Sequence, residues 1–226
     1  SYYPYTVILE FNTFTNLSPQ DRFLKAVAFK GRTNLRSYTV KDPTVGHDYM
    51  YTVTYFIGDV YAKIDKDYLY TVPLTANQKI GVTNTMYLGK MADTICAIRK
   101  GVITAVANDN ENYDRIEKNS IEVLHKDGTI AIYKNVALLN NLARGQVVVP
   151  GQAIGILRAP FLKMTLLHIV DNGILREEAI KYTLDGKQVL SVSQLHDQVV
   201  QHPPLVVERE MSKSEKKAYR KTLTPQ

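Results

Sequence analysis

"NSIEVLHKDGTIAIYKNVALLNNLARGQVVVPGQAIGILRAP", residues 119–160, is the stretch on which the fold turns. Apolar residues alternate with polar ones up to His125 and again from Thr129 to Tyr133. A period of two is that of a strand with one buried face. Between the runs stands Lys126-Asp127-Gly128, and Asp-Gly is a strong hairpin signal because Gly accepts the positive φ that tight turns need. The segment predicts a hairpin of residues 119–124 against 129–133. Two Gly-Gln pairs follow, Gly145-Gln146 and Gly151-Gln152, between short apolar runs. Val147, Ile154 and Ile156 are expected to point inward, and Gly151 and Gly155 to stand where side chains would disturb the turns.

Working outward, residues 93–106 read as two strands with a turn at Lys100-Gly101, and residues 164–170 as another strand. No helix-period stretch of useful length interrupts them. Many short strands with Gly turns predict an all-β sandwich or barrel. Upstream, residues 6–11, 23–29 and 49–57 are rich in β-branched and aromatic residues and read as strands of a small β-sandwich-like domain. Ser18-Pro19-Gln20-Asp21 could instead cap a helix through Lys30, but the flanking strands favour a strand. Downstream come a turn at Asp171-Asn172-Gly173 and a second hairpin, residues 179–184 against 188–192. His47, His196 and His202 lie in turns or polar loops and read as solvated. Beyond Glu208 the chain turns basic, and Ser212 to Glu215 could cap a short helix whose cations face solvent. The expected organisation is an N-terminal β-sandwich-like domain over 1–70, a second β domain over 71–205 and a basic C-terminal tail over 206–226.

Composition bounds the rest. The 226 residues are 45% apolar and 22% charged, the ordinary globular range. The formal charge of +6 is weighted to the end of the chain, and only Tyr219 accompanies its basic run, so nucleic acid is not expected as a partner. No apolar run approaches the roughly 20 residues of a membrane-spanning helix. No signal peptide is seen, and the chain opens at Ser1 without Met, which fits a leader removed by the cell and equally a start set in cloning. The single Cys96 stands in an apolar run and reads as a buried small hydrophobe.

Six elements, in order and spacing, resemble the lysostaphin-like (LytM) zinc metallopeptidases, the Gly-Gly endopeptidase family. Pro73-Leu74 stands for the family's opening element. Residues 92–97 with Gly101-Val102-Ile103 match its "Gly-Thr-Pro-Val-Tyr-Ala…Gly-Val-Val" segment. Residues 119–128 match "Asn-x-Val-x-Ile-x-His-x-Asp-Gly". Tyr133-Lys134-Asn135-Val136 stands for "Tyr-x-His-Leu". Residues 142–155 keep "Val-x-x-Gly-Gln-x-Val-x-x-Gly-Gln-x-Ile-Gly" almost whole. Leu166-Leu167-His168-Ile169 stands for "His-Leu-His-Phe". The resemblance covers about 100 residues and implies a LytM-type β-barrel or sandwich, the duplicated hybrid motif.

The same resemblance implies that the chemistry is gone. The family binds zinc with an early His, an Asp and the last His of its final pair. No histidine occurs here between His47 and His125, the Asp position falls near Met86, Asn135 replaces the "Tyr-x-His-Leu" histidine and Leu166 the first of the final pair. Only His168 matches a ligand position. A catalytic zinc needs about three protein ligands and an open position for water. No catalytic residue, metal ligand set or cofactor is therefore expected, and the residual groove would be marked by His125, Tyr133, Asn135 and His168. The resemblance implies a catalytically inactive peptidase-like module of the cell envelope, periplasmic or extracellular in a Gram-negative bacterium. Its partner would be peptidoglycan or a cell-wall hydrolase. Two alternatives stay open: a zinc endopeptidase with a rearranged metal site, and a structural envelope assembly protein.

Overall fold

A computed structural model describes residues 3–84, 86–107, 118–170 and 174–223. Among these the strands run β1 (Tyr5–Thr15), β2 (Leu17–Ser18), β3 (Phe23–Ala28), β4 (Thr39–Val40), β5 (Asp48–Ile57), β6 (Gly81–Thr83), β7 (Met86–Leu88), β8 (Thr94–Cys96), β9 (Gly101–Ala107), β10 (Ser120–His125), β11 (Thr129–Lys134), β12 (Val136–Leu138), β13 (Val147–Val148), β14 (Ala153–Leu157), β15 (Phe161–Ile169) and β16 (Leu175–Glu178). A 3-10 turn at Ser193–Leu195 and two helices, α1 (Pro204–Val207) and α2 (Lys213–Leu223), follow. The fold is all-β. Two compact units emerge, one from 2–63 and 169–176, the other from 64–168 and 177–226. The turn expected at Asp171-Asn172-Gly173 lies outside the described residues.

In the smaller unit β1 lies between β3 and β5, antiparallel to both, and β2 pairs with β4 in a short ribbon. The segment over which helix and strand competed forms β2 and β3, so the strand reading holds. An extra residue, Asn12, is inserted between the Phe11↔Tyr51 and Thr13↔Met50 pairs. Such a bulge resets the alternation, which is why Phe11 and Phe14, three apart, are both buried. They pack with Leu17, Leu9 and Tyr38, and the Phe11, Phe14 and Tyr38 rings meet edge to face at 5.0–5.4 Å. Among the described residues Ile8 and Ile57 are buried as well, but they stand outside this cluster.

The larger unit is built on a sheet of order β13-β9-β10-β11-β15-β7-β6 and a smaller sheet of order β12-β14-β8. Among the described residues neither closes into a barrel. The expected hairpin is β10 with β11, in the register Leu124↔Ile130, with Gly128 (φ +82°) donating its N–H to the His125 carbonyl at 3.1 Å. Ile121, Val123, Ala131, Tyr133, Leu162 and Leu166 from the large sheet join Ile95, Val136, Ile154 and Leu157 from the small one in a single core. This explains the close backbone approach at Gly155, where a Cβ would lie 2.3 Å from Val136 Cγ1 and 2.6 Å from the Ala137 carbonyl.

The two strands expected around Lys100-Gly101 form as β8 and β9; β8 pairs with β14, and β9 with β10 and β13, and the bend between them carries Arg99 into the interior. Three expectations are corrected. Val147 faces outward and Val148 inward, since β13 pairs through Val147↔Val102 and Val148↔Gly101. Ile154 is buried but Ile156 only half-buried, because a pairing irregularity between Ala153 and Gly155 breaks the alternation. The second hairpin is reduced to one bridge, Tyr182↔Leu190. Its tip is held instead by Asp185, whose Oδ1 accepts from the Lys187 and Gln188 N–H groups, an Asx-type turn.

Candidate functional site

The tip of the β10–β11 hairpin places a carboxylate inside the larger unit. Asp127 is saturated: its Oδ1 accepts from the Thr129 N–H and hydroxyl, its Oδ2 from the Asp65 N–H and, at 2.7 Å, from Arg99 Nη1. Arg99 is 2% exposed and also grips Glu210 through Nε and Nη2 at 3.0 and 2.7 Å. Its guanidinium lies 3.7 Å from the Tyr68 ring centroid, and Arg209 lies 4.6 Å from the same ring. Arg209 in turn meets Asp65 at 2.7 Å. Burial alone would raise the Asp127 pKa, but the Arg99 charge and hydrogen bonds outweigh it and hold the carboxyl below its ordinary value. Removing a carboxylate from water is costly unless it is paired and bonded, and here each oxygen has two donors.

His125, Thr129 and His168 form a row across β10, β11 and β15. Thr129 stands opposite His168 in the register, and His125 Nδ1 is 2.9 Å from Thr129 Oγ1. All three are buried. The Tyr70 ring lies 6.0 Å from that of His125, and the His125 Nε2 meets no hydrogen-bonding partner among the described residues. Burial, then the nearby Arg99 charge, push the His125 pKa down to about 3, with Asp127 opposing. His168 Nδ1 lies 3.1 Å from Glu178 Oε1 without the angles of a hydrogen bond. Tyr133 is fully buried, its hydroxyl accepting from the Ile98 N–H at 2.9 Å. Asn135 occupies a left-handed turn position (φ +67°), a conformation Asn tolerates, and donates from Nδ2 to the Phe161 carbonyl at 3.2 Å.

Of the four residues expected to mark a groove, the structure brings His125 and His168 together and leaves Tyr133 and Asn135 apart from them. Asn135 follows Lys134, which pairs with Lys163, whereas Thr129 pairs with His168. Five to six residues of strand at about 3.4 Å each separate the two ends by roughly 17–20 Å. His125, Tyr133 and His168 face the interior with Val123, Ala131 and Leu166, so they line no open groove. Met86, on β7, lies towards the Asn135 end, because its neighbour Tyr87 pairs with Leu162. Among the described residues no three His, Cys, Asp or Glu side chains are grouped so that they could hold a metal ion. Cys96 is buried, which pushes its thiol pKa up to about 12 and leaves it a poor nucleophile. His202, read as solvated, is half-buried, its Nδ1 2.6 Å from where a Cβ on Gly151 would stand.

Sequence reasoning missed two features. Arg99 and Glu210 lie 111 residues apart, and no local signal marks them as partners. The second is an open depression of about 800 Å³ lined by Leu69, Pro204, Leu205, Val206, Arg209 and Arg220, among others. Beside it Lys213, Lys216, Lys217 and Lys221 of α2 line a shallower one of about 460 Å³. The capping of α2 was legible. Glu215 N–H donates to Ser212 Oγ at 3.3 Å and Ser212 N–H to Glu215 Oε2 at 2.7 Å, a reciprocal capping box.

No protein-family model matches the sequence, and no curated protein matches it either. Solved structures with a similar backbone include a deep-sea M23 metalloprotease, pseudoalterin, at 17% identity over 54% of this chain and 78% of that one, with a TM-score of 0.34. Two crystal forms of Helicobacter pylori Csd3 are also similar. The hexagonal form has 14% identity over 74% of this chain and 58% of that one, TM-score 0.35; the orthorhombic form has 11% over 99% and 68%, TM-score 0.36.

Proposed function

We propose that the protein is a catalytically inactive LytM-type module of the bacterial cell envelope, periplasmic or extracellular, that binds peptidoglycan or a cell-wall hydrolase. The supporting observation is the segment that lies beside Asn135. If Asn135 holds the place of the "Tyr-x-His-Leu" histidine, the family's final histidine pair must lie within reach of it. The segment there is Phe161-Leu162-Lys163-Met164, which has the spacing of "His-Leu-His-Phe" but no histidine. His168 is then an interior histidine rather than a surviving ligand. An activated water requires several protein donors around one open zinc position, and this end offers an amide, a thioether and a lysine instead.

A binding role draws support from the open depression beside α1 and α2, where Lys216 stands among apolar Leu69, Pro204, Leu205 and Val206, a cation that suits a carboxylate of a wall peptide or of an acidic protein. The experiment is co-sedimentation of the purified chain with isolated sacculi, alongside zinc content after metal loading and desalting. Retention on sacculi with well under one zinc per chain and no released fragments supports the reading. Stoichiometric zinc with chelator-sensitive cleavage overturns it in favour of a rearranged peptidase.

A further inference from the structure

The smaller unit contains a sequence that is its own mirror. Along β5, Tyr51-Thr52-Val53-Thr54-Tyr55 reads the same in both directions, with Met50 and Phe56 flanking it. β5 is an edge strand: the sheet runs β3-β1-β5, and among the described residues nothing pairs with its outer side. A long edge strand exposes a row of unpaired N–H and C=O groups, and natural proteins blunt it with Pro, Lys, a bulge or a covering element. The opposite edge has such devices. β3 carries Lys25, whose carbonyl accepts from the Tyr61 hydroxyl at 3.1 Å and whose ammonium lies 5.5 Å from the Tyr61 ring centroid. β5 has none: no Pro, no Lys or Arg, and a single acid, Asp48, at its first residue.

Its side chains are also uncovered. Tyr49, Met50, Tyr51, Val53 and Tyr55 are 47–68% exposed. Two of the rings stand side by side, Tyr49 and Tyr51, nearly parallel at 6.3 Å, and Tyr51 lies 5.8 Å from the buried Phe11 ring of β1. From this we infer that β5 pairs antiparallel with β5 of a second copy of the chain, about a twofold axis at Val53. That axis sets Tyr51 against Tyr55, Thr52 against Thr54 and Val53 against itself. Tyr–Tyr and Thr–Thr are favourable cross-strand pairs, and the odd-numbered side chains of both copies fall on one face. Asp48 passes beyond the paired region, so no like charges meet. A strand that is palindromic about one residue suits an isologous twofold contact, in which each copy presents the same surface. A tyrosine carries about 150–250 Å², so three half-exposed rings per copy supply several hundred Å² to the interface. Val53, Met50, Thr52, Thr54 and the newly paired backbone extend it towards the roughly 1,200–2,000 Å² of a specific dimer.

The test is the mass of the full chain by light scattering and sedimentation from low to high micromolar concentration. A dimer of the 25.6 kDa chain is expected. Val53→Lys and Tyr55→Lys, both at exposed positions, are each expected to give a folded monomer, checked by an unchanged far-ultraviolet spectrum. Val53→Cys is expected to form a disulfide-linked dimer on mild oxidation while Val45→Cys, exposed but outside β5, does not; buried Cys96 does not compete. Should the lysine variants misfold, the cysteine pair still decides. A wild-type monomer throughout the range, a dimer indifferent to both lysines, equal crosslinking at Val45→Cys, or open-ended oligomers would each overturn the twofold pairing.

Discussion

The two units solve opposite problems. The larger one has a guanidinium inside it, and its fold supplies carboxylates and aromatic rings until the charge is surrounded. The smaller one has tyrosines outside, on a three-stranded sheet whose own apolar cluster is little more than Phe11, Phe14 and Leu17. In the first, specificity comes from polar groups that must all be satisfied at once. In the second, β5 is paired along one side only, with β1, and most of its side chains are exposed, so they contribute little to the fold of one chain. The lesson is that the same strand chemistry stabilises only in proportion to what covers it.

Substitutions should sharpen this contrast. Arg99→Ala leaves the buried Asp127 and the half-buried Glu210 without their cation, and breaking a buried pair on one side costs about 3–5 kcal/mol. Denaturant unfolding should report a loss of that order; a change under about 1 kcal/mol would mean that water readily replaces the guanidinium. Ile154→Ala removes a fully buried side chain between the two sheets and should cost about 2–5 kcal/mol. An unaltered denaturation midpoint would show that the core is looser there than the structure indicates.

The dependence on pH should come next. The His125 pKa, ordinarily 6.5, is depressed in the folded state to about 3. The unfolded chain therefore takes up a proton first, and the stability associated with neutral His125 is lost as pH falls from about 6.5 towards 3. Asp127, also depressed, adds a loss in the same direction at pH values below its ordinary 3.8. His125→Gln has no proton to take up, so the difference between its stability profile and the wild type's should be flat above pH 7 and sloped between about 6 and 4. A flat difference throughout would place His125 in contact with water. The smallest effect is expected in the other unit. Tyr55→Ser, at a 68% exposed site, should shift the stability of the isolated chain by no more than about 0.5 kcal/mol at concentrations where it is monomeric.

Much of the fold was legible because it rests on local signals. Asp127-Gly128 announced its hairpin, the alternation on either side gave both strands to within a residue or two, and Gly151 and Gly155 mark close approaches a side chain would spoil. What failed was register. Val147 and Val148 are indistinguishable to a hydrophobicity pattern, and only pairing with β9 decides which turns inward. The candidate site meets a related difficulty. A strand looks the same after sliding along itself, and nothing in the sequence tells that His168 and Asn135 stand at opposite ends of the β11–β15 pairing. The Arg99 network lay beyond reach altogether, since its partners come from three distant parts of the chain.

Glu215 does two jobs with one carboxylate. It closes the capping box of α2 and receives Lys100 Nζ at 2.8 Å on each oxygen. An eleven-residue helix is marginal in water by itself, so winding of α2 and its attachment to the body are coupled into one event. The five cations of α2 are all sites where trypsin cuts, and helical backbone does not fit a protease cleft. Cleavage between Lys213 and Lys221 should therefore wait for the whole helix to come away and unwind. Its rate then becomes a clock for that release, one that runs faster when salt screens the Lys100 contact and stalls when a ligand settles across the depression beside it.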